Sequence, residues 1–219
     1  IINTRSIKGM ISVMCYTERT APINTLKVRS LLTLIIITFS SSFALASDDI
    51  VKTLPAPPSQ FEWIDFPEIN LAVLKPQDWF VKKHTKEGSG SLAIGMSKEN
   101  IDEQGYFETG FTIQHLSDIQ NKHGIPARVV AIKLTEGIQN NVANELLDVS
   151  EGKERANNIF TFFVRYRNAP LVDKPIIIHK FFVAYDDLSE LYIFTFEGPE
   201  STWDDEWEVG NAILKKLYL

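Results

Sequence analysis

The chain has 219 residues, with 22 Lys and Arg against 28 Asp and Glu, a formal net charge of −6 and one cysteine. That acidic balance disfavours nonspecific contact with nucleic acid or anionic membrane, where affinity comes from clustered cations. One cysteine excludes an internal disulfide and any multi-thiolate metal site.

Residues 1–26 show no periodicity and no long apolar run, and Ile rather than Met stands first; they read as an unstructured or non-native upstream segment. Residues 27–46 read as a signal peptide. Lys27 and Arg29 form its basic start, Leu31 to Phe39 its apolar stretch, and Ala44-Leu45-Ala46 a small-x-small cleavage site. The rival reading is an uncleaved anchor over the uncharged run 30–47. Ser40, Ser41 and Ser42 interrupt that run, whereas a spanning helix needs about 20 mostly apolar residues. The expectation is therefore an exported chain, periplasmic or secreted, with no stable membrane span after cleavage. No cysteine follows the apolar run, which argues against a lipoprotein. Cleavage after Ala46 removes Cys15, five basic residues and one acidic one, leaving a cysteine-free chain of net charge −10. A domain of that size buries enough surface to be stable without disulfides.

Residues 47–60, with Pro55, Pro57 and Pro58, read as a flexible leader. Residues 61–219 read as one domain. Phe61 to Phe66 and Ile69 to Leu74 have strand character around Pro67-Glu68, and Trp79 to His84 follows the turn Lys75 to Asp78. A Gly88-Ser-Gly-Ser91 loop leads into Leu92 to Ser97, and alternation returns from Phe107 to Leu116. The spacing of Val130, Leu134, Ile138 and Val142 predicts a helix from Pro126 to about Asn144, before a strand at Leu146 to Ser150.

The last third is the most regular. Ile159 to Arg167, Ile176 to Tyr185 and Leu191 to Phe196 are rich in Ile, Val, Phe and Tyr, which suit a pleated surface. Phe160, Phe162, Val164 and Tyr166 share one face of the first run, and Phe163, Arg165 and Arg167 the other. Both faces are partly apolar, so each needs cover, and the short links favour antiparallel neighbours. Trp203, Trp207, Gly210, Ile213, Leu214 and Leu217 form the stripe of a closing helix, with Ser201 or Thr202 as cap. Asp204, Asp205 and Glu206 suit its first turn and Lys215 and Lys216 its last. The fold class is α+β, an antiparallel β-sheet flanked by helices.

The run Ile69 to Leu74 followed by Pro76 and Trp79, then Gly95-Met-Ser97, the middle helix, and Phe194-Thr-Phe196 ahead of an acidic helix start with Trp203 and Trp207 resembles the PsbP-like family, which includes DcrB-type periplasmic proteins. Gln77-Asp78 departs from that pattern where a glycine is expected beside the tryptophan. The resemblance covers residues 61–219 and implies an α/β/α sandwich with an accessory or binding role. It transfers no catalytic residue.

Chemistry is sparse. His84, His115, His123 and His179 lie at no metal-ligand spacing, and no metal or cofactor is expected. Gly88-Ser-Gly-Ser91 lacks both the nucleophile elbow and the phosphate-loop lysine. Asp186, Asp187 and Glu190, and the acids around Glu206, fit a turn and a helix start and match no calcium loop. A binding patch is expected where Arg165, Arg167 and Lys180 project with Phe163 and Phe182 from one sheet face. The plainer reading has these cations covering apolar surface with their stems. The function expected is a non-catalytic accessory or binding protein that presents a sheet or helix surface to an envelope protein. The alternatives are a small hydrolase pairing His115 or His179 with a carboxylate, and a carrier of an apolar ligand between sheet and helix.

Overall fold

The computed structural model describes residues 53–86, 91–155, 158–168 and 174–219, all within one compact unit, Ser47–Leu219. The upstream segment 1–26, the signal peptide 27–46, the start of the leader, and 87–90 of the Gly-Ser loop lie outside the described residues.

The strands are β1 (Phe61–Phe66), β2 (Leu71–Pro76), β3 (Phe80–Lys86), β4 (Ser91–Ser97), β5 (Gly110–Leu116), β6 (Asn144–Val149), β7 (Lys153–Arg155), β8 (Ile159–Asn168), β9 (Ile176–Tyr185) and β10 (Glu190–Pro199). The helices are α1 (Ile101–Gln104), α2 (Ile119–His123), α3 (Ala127–Gln139) and α4 (Trp203–Leu214). Eight strands form one sheet in the order β3-β4-β5-β10-β9-β8-β6, with β7 also on β8, and every pairing is antiparallel. An antiparallel sheet flanked by helices, as the sequence implies, is the observed architecture.

Alternation gives the sheet two buried faces. On one, Phe163, His179, Phe181, Phe194, Phe196, Phe111 and Ile113 share register positions. This face is covered by α4 and by the β1–β2 hairpin, which brings Phe66, Leu71, Val73 and Leu74 into the same core. On the other, Phe162, Val164, Phe182 and Ile193 are covered by α3 through Val130 and Ala131.

Three expectations need correcting. The first two strands do not extend the main sheet; they form a separate two-stranded layer. Every residue of β2 is buried, which demands cover on both faces, and the backbone of Tyr218 bridges Ala72 to close its edge. The middle helix stops at Gln139, not near Asn144, and Val142 is fully exposed. Asparagines end it: the Asn144 side chain donates to Ile138 O at 2.9 Å, and the Asn141 side chain accepts from Ala143 N at 3.0 Å. The closing helix ends at Leu214, and Thr202 at its start makes no side-chain cap bond, because a 3-10 turn, Glu200–Thr202, leads into it.

Gly210 sets how closely α4 approaches the sheet. A Cβ there would lie 2.6 Å from the Phe196 ring, so only glycine lets the helix axis come this near. With the helix this close, Trp203 and Trp207 pack edge-on against Phe196 of β10, and Trp207 also meets His179 of β9.

Candidate functional site

At these contacts the strands and helix meet. Trp203 and Trp207 stack with centroids 5.4 Å apart and planes 11° apart, and both rings meet Phe196 edge-on. The His179 ring fills the space between Trp207, 4.5 Å away, and Phe163, 4.9 Å away. Arg165 stands opposite His179 in the β8–β9 register. Its guanidinium lies 4.4 Å from the Trp207 centroid and 5.5 Å from that of Trp203, and its Nε donates to His179 Nδ1 at 3.4 Å.

The electrostatics follow from that packing. Burial, with Arg165 beside it, pushes the His179 imidazole down to about 3, so the ring is neutral and Nδ1 is free to accept. Burial also lowers the Arg165 guanidinium from its ordinary range, with the Asp148 charge opposing. Arg167, two residues on, is bound by Glu200 and by Glu145 at 2.5 Å, and these acids raise its pKa.

The expected patch does not exist as one surface. Register pairs Arg165 with His179 and Val164 with Lys180, so Phe163, Arg165 and Arg167 face α4 while Lys180 and Phe182 face the opposite side. A one-residue difference in pairing decides this. Phe182 is fully buried and stacked on Phe162 at 4.7 Å. Lys180 is half-buried and donates to Thr195 Oγ1 at 3.0 Å; burial lowers its ammonium while the Glu197 charge opposes.

The two candidate acid–base histidines have different surroundings. His179 has an arginine and aromatic rings around it. His115 does meet a carboxylate, with Nε2 3.5 Å from Glu190 Oε2, and its ring is 4.6 Å from Tyr192. It is buried, its Nε2 has no hydrogen-bond partner, and burial lowers its pKa against the pull of Glu190. The two histidines lie on β5 and β9, separated by β10, and do not approach each other. A cavity of 190 Å³ lies elsewhere, between β3, β4 and α1, lined by Phe80, Val81, Lys82, Ser97, Asn100, Ile101 and Asp102 and holding no histidine. Its volume is below the usual range for a small-molecule site. Among the described residues no three His, Cys, Asp or Glu side chains are placed to hold a metal ion, and no helix is long and apolar enough to cross a membrane.

The feature that sequence reasoning missed is the sheet edge. Among the described residues no strand pairs with the outer side of β6, and Leu146, Leu147 and Val149 on it are 47%, 40% and 38% exposed. Leu147 is the extra residue of a bulge between Leu146 and Asp148. The signal was present: adjacent leucines break alternation, so one of them has to leave the buried face.

No family model matches the chain, and no curated protein does. Among solved structures, it is similar to cyanobacterial PsbP (CyanoP) from Synechocystis sp. PCC 6803, at 11% identity and a TM-score of 0.47, over 74% of this chain and 94% of that one. It is also similar to the Ran-binding protein Mog1p of Saccharomyces cerevisiae, at 10% identity and a TM-score of 0.43, over 72% of this chain and 94% of that one. Each is a likeness of fold alone.

Proposed function

We propose that this chain is an exported, non-catalytic binding module of the cell envelope that takes an extended segment of a protein partner along β6. One observation carries the reading: among the described residues no strand pairs with the outer side of β6, which exposes three large apolar side chains in four residues. Such an edge offers unused backbone donors and acceptors to an incoming strand, while its side chains supply contact area. Export rests on the basic, apolar and small-residue order of 27–46.

The binding test is photocrosslinking in the source cell. The reactive group is placed at position 147 or, as control, at Leu188, an apolar residue 63% exposed in the β9–β10 turn. An adduct specific to position 147 that Leu146→Lys abolishes is the expected result. Equal capture at both positions, or none at 147, refutes the edge. Fractionation tests export: the mature chain should begin at Ser47, and a cytoplasmic chain retaining 27–46 contradicts the reading.

A further inference from the structure

Three half-buried arginines are held differently. Arg128 meets Asp186 and Glu154, and Arg167 meets Glu145 and Glu200. Arg165 has no carboxylate within 4.0 Å among the described residues; its partners are two tryptophan faces and a neutral imidazole. In a chain with more acids than bases, an arginine without an acid calls for an account. Its two terminal nitrogens make no hydrogen bond there. Among the described residues the fully buried polar atoms left without partners are Asp65 Oδ1, His115 Nε2 and Arg167 Nε, so the terminal nitrogens of Arg165 are not fully buried. The guanidinium carbon lies over the Trp207 ring, Nε is tied to His179, and the outer edge with the two terminal nitrogens makes no hydrogen bond among the described residues.

We propose that the outer edge of Arg165 is an oxyanion site, taking a carboxylate or phosphate group on its two terminal nitrogens. The planar fork matches both groups with two parallel hydrogen bonds. Packing on Trp203 and Trp207 holds the fork in one orientation before the ligand arrives, which reduces the ordering cost of binding. His179 contributes by accepting rather than donating, so it adds no competing acid and no second cation. The local competitor is Asp148, opposite Arg165 in the β6–β8 register, whose charge acts on the guanidinium without an ion-pair contact. This inference does not depend on the β6 docking reading, because a small solute oxyanion satisfies it.

The experiment titrates the full chain with sodium phosphate and, separately, sodium acetate, holding ionic strength constant with sodium chloride. Tryptophan fluorescence is the readout, because Trp203 and Trp207 touch the guanidinium. A saturating change with phosphate alone identifies a phosphate site, with acetate a carboxylate site. Arg165→Gln should weaken the response about tenfold or more, the loss of a charge-assisted pair of hydrogen bonds. Arg165→Lys keeps the charge but loses the fork, and should fall between. Asp148→Asn, on an exposed edge, should tighten binding about two- to fivefold by removing the competing charge. Chloride reproducing the whole change, or Arg165→Gln retaining it, overturns the site. If Arg165→Gln fails to fold, unchanged affinity in Asp148→Asn overturns it instead. Loss of crosslinking at position 147 would leave these results untouched, so the two readings fail separately.

Discussion

His179 makes the domain sensitive to acid, and the size of the effect follows from its surroundings. Burial and then the Arg165 charge depress the folded imidazole to about 3, whereas the unfolded chain has the ordinary value near 6.5. A depressed folded pKa means that the unfolded state takes the proton first. The stability held above pH 6.5 is therefore lost as pH falls from there towards 3. Between pH 7.5 and 4.5 the unfolded imidazole becomes fully protonated while the folded one stays neutral. The loss is about two pH units at about 1.4 kcal/mol each, or roughly 3 kcal/mol. His179→Gln keeps an acceptor for Arg165 Nε but cannot titrate. Urea unfolding of both proteins at several pH values should show the wild type losing roughly 3 kcal/mol more than the variant across that range. His115 and the carboxylates titrate in both proteins and cancel. Parallel curves, within about 0.5 kcal/mol, would refute the claim that this ring is held neutral. Arg165→Met should shrink the difference without abolishing it, since burial is the larger cause.

Gly210→Ala places a methyl 2.6 Å from the Phe196 ring and should cost about 1–3 kcal/mol, read as a fall in Tm of several degrees. Phe182→Ala should cost about 3–5 kcal/mol in urea unfolding, as a core deletion does, whereas a surface docking residue would cost less than about 0.5 kcal/mol. Leu147→Lys should leave stability within about 0.5 kcal/mol of wild type, because its side chain is already exposed at the bulge of the edge strand.

Much of the fold was legible because the strands repeat every two residues. The sequence placed Phe162, Val164 and Tyr166 opposite Phe163, Arg165 and Arg167, and the sheet has that division. It also required cover on both faces, which α3 and α4 supply. Layering was hidden. Phe61 to Phe66 and Leu71 to Pro76 carry the same apolar signal as the main strands, and only the burial of every β2 residue places them in a second layer. Helix ends were set by local polar bonds, such as Asn144 to Ile138 O, that compete with an otherwise helical spacing.

The site was less legible, and the reason is register. Alternation assigns faces within a strand but not between strands, so choosing which residues share a surface requires the pairing itself. A shared patch of Arg165 and Lys180 requires that their two strands pair in a register that puts both on one face. The observed pairing puts a histidine beside Arg165 and a valine beside Lys180. That shift changes the physics of the arginine. Beside a second cation it would be repelled towards solvent; beside a neutral acceptor and above two tryptophans it is held in place. The tryptophans come from α4, whose close approach depends on Gly210, so the state of Arg165 is fixed by residues far along the chain. The helical stripe marks Trp203 and Trp207 as core, and Trp203 is buried while Trp207 packs, partly buried, against it. Both rings also lie against the guanidinium of Arg165, which makes no ion pair within 4.0 Å among the described residues.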